Sequence, residues 1–164
     1  MTEFTFTTKC FGDITIVEKD SHGNVNIIYD NHEINIFLCN YNLYGEKVKL
    51  CLEIMDKYVE INEIGKKAIL KNFNENEIIK YYFECYFDIF DEEQLLEIFE
   101  TNQFEELDIE NVVEKLEYPN LLFDIKDNEI TISVDYMVSK EYSDEILCVR
   151  MDEKLNITGF SHES

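Results

Sequence analysis

The chain has 164 residues, the length of a single domain, and its apolar fraction of 45%, with twelve Phe and ten Tyr, supplies side chains for one substantial core. Its formal charge of −22 comes from 36 acids against 14 bases, and Arg150 is its one arginine. That balance argues against nucleic acid or an anionic membrane as partner, since both are held mainly by Lys and Arg neutralising phosphates, and it favours a partner that carries positive charge.

The N-terminal MTEFTFTTKC lacks the basic and apolar run of a leader, and nowhere do about 18 apolar residues follow one another without charge. These features predict a soluble, cytoplasmic protein with one domain over 1–164. The five cysteines, Cys10, Cys39, Cys51, Cys85 and Cys148, are scattered, odd in number and without a C-x-x-C pair, so they read as reduced, buried apolar side chains.

In chain order, Phe4 and Phe6, Ile14 and Ile16, Val25, Ile27 and Tyr29, and Ile34, Ile36 and Leu38 alternate as half-buried strands do. Turn-forming residues at Ser21–Asn24 and Asp30–His32 separate these runs, which predicts an antiparallel meander of three or four strands within residues 4–39. From Leu43 the period becomes helical. Val48, Cys51, Leu52, Met55, Tyr58 and Val59 share a stripe, followed by Ile61, Ile64, Ala68, Ile69 and Phe73, which predicts two helices joined near Glu60–Asn62.

Asn74 with Glu77 reads as a capping box before a third helix carrying Ile78, Ile79, Tyr82, Phe83, Tyr86 and Phe90, expected to be the most deeply packed. Asp91 with Gln94 reads as a second box, opening a short helix through Leu95, Leu96, Ile98 and Phe99. A last amphipathic stretch with Phe104, Leu107, Val112, Val113 and Leu116 is expected to stop at Pro119.

Strand chemistry then returns over residues 120–160. Leu121–Phe123 with Ile125, a turn at Asp127-Asn128, the alternation Ile130 to Val138, Ile146–Met151, a turn at Asp152–Lys154 and Leu155–Phe160 follow in order. Gly12 and Gly159 are expected at a bulge or close approach. The predicted class is α+β: an N-terminal antiparallel meander, a central block of four to five helices over 44–117, and C-terminal antiparallel strands, in one sheet or two.

The acidity is concentrated. Residues 43–71 hold six lysines and five acids, whereas 75–117 hold fifteen acids against Lys80 and Lys115. Carboxylates at predicted helix starts are favoured by the helix dipole, by about 0.3 to 1 kcal/mol each. Those within or beyond helix middles are not, and a solvated face is the plain reading of them. The functional reading is a landing surface for a basic protein, with Asp88, Asp91, Glu92, Glu93, Glu97 and Glu100 steering association and Tyr81, Tyr86 and Phe87 as apolar anchors.

Catalytic and metal signatures are weak. His22, His32 and His162 read as turn and terminal residues outside any ligand spacing, and Asp88–Glu93 matches a helix start better than a calcium loop. No nucleophile elbow or phosphate-cradling loop can be drawn, so no catalytic residue, metal or cofactor is assigned and the chain is read as a non-enzyme. Converging carboxylates, the alternative enzyme reading, have no specificity among 36 acids.

Phe11-Gly12-Asp13, the lysine-bearing helix pair from Glu46 to Phe73, and the ending with Val134-Asp135-Tyr136, Ser143–Leu147, Met151-Asp152 and His162-Glu163-Ser164 resemble the bacterial family known as domain of unknown function 2004, DUF2004. The resemblance covers nearly the whole chain. It implies an intracellular bacterial α+β protein and brings no catalytic residues. By analogy of class, a small acidic protein without an active site looks like an immunity-type inhibitor of a bacterial toxin, and a housekeeping protein with no charged interface is the other non-enzymatic alternative.

Overall fold

The computed structural model describes residues 2–19, 22–29, 32–40 and 46–164. Four strands open the chain: β1 (Thr2–Thr8), β2 (Gly12–Lys19), β3 (His22–Tyr29) and β4 (His32–Cys39). The helical block follows as α1 (Glu46–Met55), α2 (Tyr58–Asn72), α3 (Glu77–Ile89), α4 (Glu92–Phe99), a 3-10 turn at Phe104–Glu106 and α5 (Ile109–Lys115). Strands β5 (Glu117–Lys126), β6 (Glu129–Met137), β7 (Ile146–Met151) and β8 (Ile157–Glu163) close it.

The eight strands among the described residues belong to one sheet in sequence order, which answers the question the strand pattern left open. Neighbours pair antiparallel except β4 and β5, which run parallel from Asn35 opposite Asn120 to Cys39 opposite Asp124. A parallel pair cannot be closed by a tight turn and needs a crossover of a dozen or more residues. The helical block is that crossover, so the α+β segregation of the sequence folds into a single mixed sheet.

One hydrophobic core joins helices to sheet. Ile130, Ile132, Val134 and Tyr136 of β6 face it with Leu121 and Phe123, Leu147, Val149 and Met151, and Ile14, Ile16 and Leu38; from the helices come Val48, Cys51, Met55, Ile61, Ile69, Ile79, Tyr82, Phe83, Tyr86 and Phe99. Period-two alternation sends the intervening residues to the opposite face. There Asn120, Asp135, Cys148 and Ser161 stand in one row across four strands.

Several boundaries differ from expectation. The break between the first helices lies at Asp56-Lys57, not Glu60–Asn62, because Tyr58 and Ile61 are already buried on the α2 stripe; Lys57 N bonds Ile54 O at 2.8 Å to close α1. The cap of α3 is Asn76, whose side chain accepts from Ile78 N and Ile79 N, because Glu75 N and Asn76 N still bond back to Asn72 O. Asn74 therefore sits in the turn between helices. The last helix ends at Lys115, and the chain is extended by Glu117, so Pro119 lies inside β5, at the register irregularity between Glu117 and Asn120. A residue without an N–H fits where the ladder is already broken.

The strands beside the two early turns take in residues read from the sequence as turn formers. His22, Gly23 and Asn24 belong to β3 and His32 to β4, while positions 20–21 and 30–31 lie outside the described residues. Gly12 opens β2 at φ +69°, a backbone region only glycine enters freely. The turn at Asp127-Asn128 has φ of 51° and 65°, as a tight hairpin requires. Leu155, expected in the last strand, is at φ 65° in the turn before it, and β8 runs on to Glu163 with a register shift next to Gly159. His162 is therefore a strand residue, not a loose terminal one.

Candidate functional site

Helix α4 owes its position to the Asp91–Gln94 capping box: Gln94 N donates to Asp91 Oδ1 at 2.9 Å and Asp91 N to Gln94 Oε1 at 3.1 Å. Leu95 and Phe99, four apart, turn inward and are buried. The 3.6-residue period then puts Glu92, Glu93, Leu96, Glu97 and Glu100 together on the outer face, all exposed. Leu96 keeps 49% of its surface in solvent.

The loop after β6 brings Tyr142 against this face. Its ring meets Phe90 edge-on at 6.3 Å, and its hydroxyl donates to Glu97 Oε2 at 3.3 Å. Glu141, then Glu97 and Glu93, push the phenol pKa up, because ionising it would add a fourth negative charge to three carboxylates. A cavity of about 220 Å³ opens beside the ring, lined by Glu97, Glu141, Lys115, Val112 and Val138.

The expected interface residues separate into groups. Asp88, Asp91, Glu92, Glu93, Glu97 and Glu100 are exposed on α3 and α4. Asp91 is committed to the cap, Glu92 accepts from Asn102 at 3.1 Å, and Glu100 is held by Lys115 at 2.6 Å and by Asn111, which lowers its carboxyl pKa. Among the described residues Glu100 is the one acid of this surface in a salt bridge, so Asp88, Glu93 and Glu97 have no ion-pair partner there.

The aromatic anchors fare differently. Tyr86 is completely buried, donating to Tyr82 Oη at 3.1 Å, and presents no surface to a partner. Phe87 is half-buried, stacked on Phe99 at 5.2 Å and edge-on to Phe104 at 5.5 Å. Both answer the core, as aromatics at helical spacing usually do. Tyr81 is 59% exposed, but its ring leans on His162 of β8 at 5.7 Å.

Sequence reasoning passed over Leu96, Tyr142 and Glu141. Leu96 could have been found, since it is one position off the Leu95–Phe99 spacing. Tyr142 could not, because its role depends on a loop that only the sheet brings to α4.

Two polar clusters lie elsewhere. His162 is in hydrogen-bonding contact with Glu145 through Nε2 and meets Tyr82 edge-on at 5.3 Å; Tyr82 Oη accepts from Val138 N and bonds the carbonyls of Tyr136 and Glu145, tying α3 to the ends of β6 and β7. On the opposite face of the sheet, Arg150 donates to Ser161 at 2.8 Å and lies 3.6 Å from Glu163, while burial pushes the Asp135 carboxyl pKa up.

All five cysteines are free, and burial pushes the Cys51 thiol up to about 12 and those of Cys85 and Cys148 to about 11, so these three are neutral thiols at physiological pH. Among the described residues no group of three or more His, Cys, Asp or Glu is arranged to share a metal ion, and no helix is long and apolar enough to cross a membrane. Neither the family models, nor the curated proteins, nor the solved structures compared with this chain match it.

Proposed function

We propose that the chain acts by binding rather than by turnover, as an acidic module that docks a basic protein through α4 and the Tyr142 loop. One observation carries this reading: Leu96 and Tyr142, both solvent-exposed, sit among carboxylates of which Glu93, Glu97 and Glu141 make no salt bridge among the described residues, and these three push the Tyr142 phenol up. Interface hot spots combine a rigid aromatic or aliphatic anchor with polar groups that lose water around it, and a one-signed field steers an oppositely charged partner at long range. A nucleic-acid-binding toxin, neutralised by an immunity-type inhibitor of the kind that small acidic proteins without an active site suggest by analogy of class, is a partner of this chemistry.

The test is affinity capture from source cells at low and at about 0.5 M salt, where the Debye length shrinks below roughly 5 Å. A basic protein should be retained at low salt and released at high salt. Tyr142→Ala and Glu93→Lys/Glu97→Lys should each weaken its binding at least tenfold, about 1.4 kcal/mol. Glu105→Lys/Glu110→Lys, the same charge change elsewhere on the acidic surface, should cost much less. Equal loss from both lysine pairs overturns the site; retention of no basic protein overturns the function.

A further inference from the structure

A second cavity, of about 220 Å³, lies on the other side of α5, where α2, the start of β5 and the loop after β6 meet. Its lining reverses the charge of the molecule. Lys66, Lys115 and Lys140 converge there against Glu114 and Glu117, in a chain whose formal charge is −22.

The three lysines are not equally committed. Lys115 is held by Glu100 at 2.6 Å. Lys140 stands 3.8 Å from Glu117, a loose pair. Lys66 donates to the backbone carbonyl of Glu114 at 2.6 Å, which occupies one of its three N–H bonds, and its half-burial lowers the ammonium pKa. A partly desolvated cation with open donors is placed to gain from an anion.

Asn62 supplies the second observation. It lines the same cavity one α2 turn before Lys66, and its side-chain oxygen is buried without a hydrogen-bond partner. A buried, unmet acceptor costs about 1 to 3 kcal/mol. Turning the amide toward the cavity would let an occupant donate to it. The backbone beneath is fixed, since Tyr136 Oη donates to Asn62 O at 3.0 Å.

We propose that this cavity binds a small carboxylic acid bearing its own hydrogen-bond donor, the carboxylate meeting Lys66 and Lys140 and an α-hydroxyl or α-ammonium group donating to Asn62. Its volume, about 220 Å³, equals roughly seven waters at about 30 Å³ each, room for an acid of a few carbons.

Three acids of equal carbon number separate the possibilities: propionate has no donor, lactate a hydroxyl and alanine an ammonium. In titrations of the isotope-labelled full chain, lactate or alanine should give saturable amide shifts at Asn62, Lys66 and Lys140, at least about fivefold tighter than propionate. The tighter of the two identifies the donor. Lys66→Gln, and separately the exposed Lys140→Gln, should weaken binding about tenfold. Asn62→Ala should bring the better ligand down to the affinity of propionate, with the melting temperature unchanged or raised. Absence of saturation with all three acids, propionate binding as tightly as the others, or unchanged affinity in folded Lys66→Gln and Lys140→Gln overturns the proposal.

Discussion

Gly65 and Tyr136 meet more closely than any side chain on α2 would allow: a Cβ on Gly65 would lie 2.2 Å from the Tyr136 hydroxyl and 3.0 Å from its ring carbon Cζ. Ala is the better helix former by about 1 kcal/mol, but overpacking a rigid core costs about 1 to 3 kcal/mol, and here the clash is with a fully buried ring. Gly65→Ala should therefore destabilise the protein, and in a Tyr136→Phe background, where the clashing oxygen is gone, it should cost markedly less; urea midpoints of the four variants give the coupling, and purely additive losses would refute the contact. Asp135 makes a second residue-scale prediction. Burial raises its carboxyl above the usual 3.8, with Glu163 adding to the effect, while Cys148, Asn120 and Arg150 oppose it. A carboxyl raised on folding weakens the fold above its native pKa, and the penalty disappears as pH falls below the unfolded value. Asp135→Asn should thus be the more stable protein at pH 7, its advantage shrinking toward about pH 4, as thermal melts across that range would show. Neither effect was legible in the sequence, since both depend on strands and helices far apart in the chain.

At the scale of elements, short-range chemistry was the legible part. The Asp91–Gln94 box was read from two residues three apart and both of its hydrogen bonds form, because a cap is made by its own neighbours. Asp91→Ala should cost about 1 kcal/mol of stability, and Asn76→Ala, which removes the acceptor for Ile78 N and Ile79 N, a similar amount. Asn74→Ala, at the cap the sequence suggested, should cost much less; a larger loss there than at Asn76 would contradict the observed boundary. Tertiary packing decided what local signals did not. Burial of Tyr58 moved the α1–α2 break back to Lys57, and burial of Tyr86 kept it on the packed stripe that helical spacing predicted and withdrew it from the acidic surface its acidic neighbours had suggested.

The whole molecule carries its charge unevenly, with fifteen acids and two lysines between residues 75 and 117. Repulsion within such a surface opposes the compact state and is screened beyond a Debye length, about 10 Å at 0.1 M salt. Raising sodium chloride from about 20 to about 300 mM should therefore increase the melting temperature; a decrease would mean that ion pairs outweigh repulsion. The Glu93→Lys/Glu97→Lys variant should be less sensitive to salt, because it removes two acids that make no salt bridge among the described residues.

By itself the sequence determined the α+β class, the strand and helix order, the Asp91–Gln94 cap, the turns at Asp127-Asn128 and Asp152–Lys154, and the place where the acids concentrate. Each follows from residues within a few positions of one another, through period, capping or composition. Only the tertiary structure decided that the two strand regions are one sheet, because the parallel pairing of β4 with β5 brings together residues 85 positions apart, Asn35 with Asn120 through Cys39 with Asp124, and no local period encodes that distance. The same long-range closure set Tyr142 beside Glu97, and gathered Lys66, Lys115 and Lys140 around one cavity. Side chains that converge from separate elements acquire a common function only after the chain has closed on itself.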